Sequence, residues 1–154
     1  MSPRFGTALV IALLSVGVLA TSATAGVPDP SRSTCTFPDG PALPCPDPVT
    51  VNVIVRDAFD ATVANCSTSV SIVVASGSLE PGQLTVATGL TDASGSVDLV
   101  FPDGVFGNAT VSLAVVTHCA GNIALCESPP YLVMCTGPTP VDPKTWGRVK
   151  ASYR

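Results

Sequence analysis

Alternation of valine and other β-branched residues with small polar ones is the feature that most restricts how this chain can fold. Valine occupies every second position from residue 49 to residue 55, and in residues 66–75 serine alternates with larger side chains. A period of two puts successive side chains on opposite faces of a strand, so these runs predict β-strands with one buried face. Further runs of this kind cover residues 84–90, 96–101, 109–119 and 131–134. Apolar residues at helical spacing do not occur between them, so the sequence predicts an all-β domain.

Turn residues separate the predicted strands at short intervals. Residues 92–95 read Asp-Ala-Ser-Gly, with aspartate first and glycine last, which favours a type I turn and a hairpin between residues 84–91 and 96–101. Residues 102–104, 107–108 and 121–122 also contain glycine beside proline, aspartate or asparagine. Six or seven short strands joined by such turns favour a β-sandwich.

The first 25 residues predict an export signal. Arg4 precedes a run of 13 apolar and small residues that ends at Ala20, and residues 23–25 read Ala-Thr-Ala, a small-residue cleavage site. A membrane-spanning helix needs about 20 apolar residues, so this run is too short for an anchor, and no comparable run follows it. We expect a mature chain without a transmembrane helix that begins near Gly26, with a single sandwich domain at residues 26–135.

Cysteine usage supports the same compartment. An even number of cysteines in an exported chain predicts disulfides, and the absence of any Cys-x-x-Cys pair argues against a zinc site. Strand direction and parity place Cys66 at the same end of the sandwich as Cys119 and Cys126, so we expect it to bond to one of these two. A simple up-and-down order would leave three cysteines at each end, unless Cys35 reaches across on a short strand of its own. The six residues expected to form disulfides are Cys35, Cys45, Cys66, Cys119, Cys126 and Cys135.

Acidic and basic residues occupy different parts of the chain. Residues 26–137 contain ten acidic residues and two arginines, a net charge of −8, whereas residues 138–154 carry a net charge of +3. An acidic domain is a poor partner for phosphate backbones, so we expect no nucleic-acid binding. The prolines of residues 136–143 predict an extended linker, and residues 144–154 predict a separate basic tail.

The basic tail has one apolar face if it is helical, because its two aromatic residues and its valine stand at i, i+3 and i+7. A helix of ten residues is marginal alone in water, so we expect the tail to dock on something. Its own domain, a sorting or anchoring machine, and an anionic lipid surface remain open as partners. The residues expected to make this contact are Trp146, Arg148, Val149, Lys150, Tyr153 and Arg154.

The domain offers few groups for catalysis. His118 is the only histidine, its parity places it on the outward face of a strand, and no Gly-x-Ser-x-Gly motif is present. Paired cysteines leave no thiolate nucleophile, so we expect neither an enzyme nor a cofactor. Four carboxylates in predicted turns, Asp57, Asp60, Asp92 and Asp103, are weak candidates for a calcium site.

A valine-rich strand that ends in Asp57 is followed later by a Thr-Asp-x-x-Gly hairpin at residues 91–95 and a further strand valine, Val97. This pattern, over residues 49–116, resembles the bacterial immunoglobulin-like domains of the invasin/intimin type. The resemblance implies an immunoglobulin-like sandwich. It differs from the antibody type, which packs a tryptophan on its central disulfide, because the only tryptophan here is Trp146.

Domains of this family often stand in tandem arrays and end in an adhesive tip. The resemblance therefore implies a secreted or cell-surface module for adhesion, assembly or structural support, with a protein or a cell surface as partner. The alternative is a secreted or periplasmic binding protein for calcium or a small ligand. We expect the protein outside the cell or on its surface, with the periplasm as a further option.

Overall fold

A computed structural model of the chain describes residues 26–135, which form eight β-strands and no helix. The predicted all-β fold is confirmed for this part of the chain. Residues 26–135 contain no helix long and apolar enough to cross a membrane. The predicted export signal, linker and basic tail lie outside the described residues. The strands are β1 (Thr34–Thr36), β2 (Val49–Ile54), β3 (Ser67–Leu79), β4 (Val86–Leu90), β5 (Ser96–Phe101), β6 (Gly107–Thr117), β7 (Ile123–Glu127) and β8 (Tyr131–Cys135).

The strands form two antiparallel sheets. In the smaller sheet, β2 lies between β1 and β5. The larger sheet has the order β4-β3-β6, and β7 and β8 share the far side of β6. β4 and β5 belong to different sheets and do not pair, so the hairpin predicted between residues 84–91 and 96–101 is wrong. Residues 92–95 form a turn, but it connects the two sheets. β7 pairs with residues 114–117 of β6, and β8 pairs with residues 107–111. Strands β3 and β6, with 13 and 11 residues, are the longest strands of the larger sheet and lie at its centre.

The inner faces of the two sheets form one hydrophobic cluster. Val51 and Val53 of β2 and Leu113 and Val115 of β6 are completely buried, whereas Thr50 on the other face of β2 is exposed. Burying one such aliphatic side chain stabilises the fold by about 1.5–3 kcal/mol. The alternation in the sequence thus has the physical cause predicted for it, because every second side chain of these strands enters the core.

Some strand boundaries differ from the predicted ones. β1 and β7 are additional strands, and β6 ends at Thr117, so Cys119 lies beyond it. Val74, predicted on the buried face of its strand, is 43% exposed. The pairing of β3 with β6 shifts by one residue between Val74 and Ser76, and such a bulge ends the simple alternation of faces.

Three disulfides join all six cysteines. Cys66 pairs with Cys119, one of its two expected partners, and their Cα atoms are 5.1 Å apart. Cys35 lies on its own short strand, β1, and reaches across to Cys126 on β7, so this bridge connects the two sheets. The third bridge joins Cys45, before β2, to the last residue of β8.

Candidate functional site

The outer face of the larger sheet carries almost no charge. The outward side chains of β3 are five serines and Val73, and those of β6 are neutral. Among the strand residues of this face, Glu127 on β7 is the one carboxylate, and its Oε1 accepts a hydrogen bond of 2.8 Å from the Ser112 hydroxyl. This neutrality is unusual for a domain whose net charge is −8.

Exposed apolar side chains border this neutral outer face on both sides. On β4, Val86 and Leu90 are 44% and 65% exposed, and on β8 Leu132 and Met134 are 46% and 81% exposed. Protein interfaces have centres depleted in charged residues and enriched in methionine and aromatic residues. Each pair is a small apolar area, and the serine-rich outer faces of β3 and β6 lie between the two pairs.

A shallow depression of about 300 Å³ lies on the same face, between β3, β6 and β8. Its lining includes polar groups that can form hydrogen bonds, and it also includes the apolar side chains of β8. Its volume is at the lower end of the range found for small-molecule sites. The residues that line it are Ser76, Gly77, Asn108, Ala109, Thr110, Leu132, Val133 and Met134.

His118 lies at one end of the neutral outer face and bridges two side chains. Its Nε2 is 2.8 Å from the Ser69 hydroxyl, and its Nδ1 is 2.8 Å from Oδ1 of Asn122. An amide oxygen can only accept, so Nδ1 donates to Asn122, and in the neutral ring Nε2 accepts from Ser69. The order of groups is that of a serine–histidine catalytic relay. Sequence reasoning placed His118 outward but missed its partners, because Ser69 is 49 residues away.

The surroundings of Ser69 favour a structural role for this bridge. Ser69 is only 7% exposed, whereas His118 is exposed. A nucleophilic serine must be open to a carbonyl group and must lie near donors that stabilise the oxyanion. Here the three side chains join β3, the end of β6 and the turn before β7, and their hydrogen bonds hold these elements together.

The structure does not gather the calcium candidates into one site. Asp57 and Asp60 follow β2, and Asp92 precedes β5 at the same end of the sandwich, whereas Asp103 follows β5 at the opposite end. Within residues 26–135, no three histidine, cysteine, aspartate or glutamate side chains are grouped so that they could hold a metal ion.

Two of these carboxylates serve the backbone of their own turns. Oδ1 of Asp57 accepts hydrogen bonds from the amides of Phe59 and Ala61, at 2.9 and 3.0 Å. Oδ1 of Asp92 accepts from both the hydroxyl and the amide of Ser94, at 2.7 and 2.8 Å. The Ser94 hydroxyl, and next the Ser96 amide, lower the pKa of Asp92, because they stabilise its charged form.

The Thr-Asp-x-x-Gly segment, residues 91–95, forms the turn that connects β4 of the larger sheet to β5 of the smaller sheet, and two of its fixed residues have distinct roles. The Thr91 hydroxyl is buried, donates to the Val63 carbonyl at 2.6 Å and accepts from the Cys66 amide at 2.9 Å. Gly95 adopts φ = 74°, and a Cβ there would lie 2.6 Å from the Val55 carbonyl oxygen. A side chain is therefore excluded at position 95 by both backbone conformation and space.

Comparison of the chain with protein-family models, curated proteins and solved structures yields no match. The predicted contact residues of the basic tail lie outside the described part of the chain.

Proposed function

We propose that this chain is an exported, non-enzymatic, immunoglobulin-like binding module that serves adhesion, assembly or structural support. The neutral outer face of the larger sheet, bordered by exposed apolar side chains of β4 and β8, is the observation that carries the proposal. A surface with few charges loses little hydration energy when a partner covers it, and its apolar borders gain from burial. The partner is a protein or another component of the cell surface.

Three disulfides support a location in an oxidising compartment, outside the cell, at its surface or in the periplasm. The immunoglobulin-like assignment of the invasin/intimin type rests on the sequence pattern of residues 49–116, in which Thr91, Asp92 and Gly95 form the turn between β4 and β5. In this proposal residues 1–25 direct export, and residues 144–154 are a recognition tail for a sorting or anchoring machine.

A small ligand bound in the depression between β3, β6 and β8 is the second candidate function. The size of the depression and its mixture of amide, hydroxyl and apolar groups favour this alternative. The calcium form of the alternative is less well supported, because the carboxylates of Asp57 and Asp92 already accept hydrogen bonds in their turns.

The test of the proposal places a charge on the neutral outer face. In the native host, the full chain should be found with the cell envelope or its extracellular matrix. The variant Thr110→Glu, on β6 in this face, should be released into the soluble fraction. Thr50→Glu, on the outer face of the smaller sheet, is the matched control and should remain attached. Equal attachment of all three proteins would refute a role for this face.

A second experiment separates binding from catalysis. A fluorophosphonate probe reacts with serines that are activated by a histidine. If the bridge of Ser69 and His118 is structural, as proposed, the folded protein should not be labelled at Ser69. Labelling that is lost in Ser69→Ala and in His118→Ala would show that the bridge is a catalytic relay and would overturn the non-enzymatic assignment.

A further inference from the structure

The N-terminus expected for the exported chain lies against a carboxylate. Gly26 directly follows the predicted cleavage site, and its backbone packs against the side chain of Asp57. A Cβ placed on Gly26 would overlap this side chain, because it would lie 2.6 Å from the Asp57 Cβ and 2.8 Å from the carboxyl carbon, and it would also contact Oδ2. The backbone nitrogen and a Cβ share one Cα and are about 2.5 Å apart, so the Gly26 nitrogen lies within about 5 Å of the carboxylate.

Backbone contacts hold the segment that begins at this residue in its place. The Asp29 amide donates a hydrogen bond of 2.8 Å to the Arg56 carbonyl, and Pro28 lies opposite Asp57 in an isolated antiparallel bridge. Residues 26–29, called the N-terminal arm, are therefore fixed beside the segment that follows β2. Their position does not depend on an interaction between charges.

The carboxylate of Asp57 has one oxygen left for a cation. Its Oδ1 accepts hydrogen bonds from the amides of Phe59 and Ala61, whereas its Oδ2 accepts none from the described part of the chain. The neighbouring guanidinium of Arg56 is engaged elsewhere, because its Nη1 donates to the Asp60 carbonyl at 3.0 Å and lies 3.6 Å from Oδ1 of Asp60. The oxygen of Asp57 that faces the N-terminal arm is therefore open to a positive charge.

We propose that Asp57 is the binding site for the α-ammonium group that export processing creates on Gly26. Hydrolysis of the peptide bond between Ala25 and Gly26 consumes one water molecule and leaves a carboxylate on Ala25 and an ammonium on Gly26. The neutral peptide nitrogen of the precursor thus becomes a positive charge beside a carboxylate that is already in place. An opposite charge within about 4–6 Å favours the charged form of each partner.

This ion pair distinguishes the mature chain from its precursor, so the inference rests on the proposed export of the protein. Exposed ion pairs often contribute little, because two long side chains must be held in one geometry. Here the backbone fixes the nitrogen and the turn at Asp57 fixes the carboxylate, so less entropy is lost when the pair forms. Removal of the export signal therefore adds a contact between the N-terminal arm and the domain that the precursor lacks.

A double-mutant cycle tests the pair. One chain begins at Gly26, released from a fusion by a protease that leaves no added residue, and the other retains Ala25, which moves the charge about 3.8 Å along the chain. Each is prepared with Asp57 and with Asp57→Asn, which keeps an Oδ1 acceptor for the turn and removes the charge. At about pH 6, where α-amino groups are charged, retention of Ala25 should lower the melting temperature by about 1–4 °C with Asp57 and by less than about 0.5 °C with Asp57→Asn. Equal effects of Ala25 in both backgrounds would overturn the proposal.

The reactivity of the amine gives a second readout, which a merely structural role of Asp57 would not change. Acylating reagents attack only a neutral amine, so at about pH 7 the pair should slow labelling of the Gly26 amine roughly threefold relative to the Asp57→Asn variant. The two lysines of the exported chain, Lys144 and Lys150, are internal references in the same mass spectrum. Asp60→Asn, which removes the other carboxylate of this turn, is the matched control and should label like the wild type. Equal labelling rates with Asp57 and with Asp57→Asn would contradict the pair.

Failure of the export proposal gives a different result from failure of the pair. Mass spectrometry of the protein from its native host identifies its first residue, which should be Gly26. A chain that still begins at Met1 would overturn both the export signal and the physiological role of the pair. Additive effects in the double-mutant cycle would overturn the pair alone and leave export unaffected.

Discussion

Replacing Thr91 with valine should destabilise the domain by about 1–5 kcal/mol, although the two side chains have the same shape. The Thr91 hydroxyl bonds both the Val63 carbonyl and the Cys66 amide, and all three residues are at most 2% exposed. An unsatisfied buried polar group costs about 1–3 kcal/mol, so the two partners together lose about 2–6 kcal/mol. The additional buried methyl group of valine offsets about 1 kcal/mol of that loss.

Thr91→Ser is the matched variant, because it keeps the hydroxyl and loses only one methyl group, at a cost of about 1 kcal/mol. Urea unfolding under non-reducing conditions gives the free energy of unfolding for both variants. For a domain of this size, the valine variant should also lower the melting temperature by roughly 10 °C. If Thr91→Val proves as stable as Thr91→Ser, the two hydrogen bonds between Thr91 and the segment from Val63 to Cys66 do not stabilise the domain as argued.

Three further predictions concern the disulfides, acid stability and the tail. Replacing both Cys66 and Cys119 by alanine removes a disulfide that closes a loop of 53 residues, and the entropy that the unfolded chain regains should lower the free energy of unfolding by about 4 kcal/mol. Urea denaturation measures this loss. A loss below about 1 kcal/mol would contradict the argument from loop entropy. Hydrogen bonds from Ser31 and Ser94 lower the pKa values of Asp29 and Asp92 below 3.8, so these carboxylates stabilise the fold fully above that pH, and their contribution is lost as pH falls through the lowered values. Asp92→Ala should therefore make the free energy of unfolding fall less steeply in acid. An unchanged acid limb of the stability–pH curve would refute this. Deleting residues 144–154 should leave the melting temperature nearly unchanged but alter the cellular fraction in which the protein is found, whereas a large loss of stability would mean that the tail belongs to the folded domain.

Strand pattern was readable from the sequence wherever a strand has a buried and a solvent face. The valines of β2 and the long alternation of β6 predicted their strands, and the Asp92 turn was predicted correctly as a turn. The hairpin expected around it was wrong, because β4 and β5 pair with different strands in different sheets, which turn chemistry alone does not reveal. β1 was missed because three residues are too few to show a period. β7 was missed because it contains only one β-branched residue and its pairing with β6 is irregular.

The surface features were less accessible, because they depend on how distant strands pair. Parity identified His118 as outward, but its contact with Ser69 needs the register of β3 against β6. Likewise, Cys66 could be narrowed to two partners by strand direction, and only the geometry of the folded chain selects Cys119. β4 pairs with only the first part of β3 because β4 is much shorter, and the run at residues 66–75 did not indicate this difference in length.

The two long bridges also decide how the domain would respond to a mechanical load. Cys35–Cys126 and Cys45–Cys135 tie the first part of the domain to the last, across 91 and 90 residues. Tension applied between residues 26 and 135 would pass through these covalent links and the short segments beside them, and strands β2 to β6 would lie outside the stretched path. A module at a cell surface that is pulled at both ends would therefore extend very little until a reductant cleaved these two disulfides.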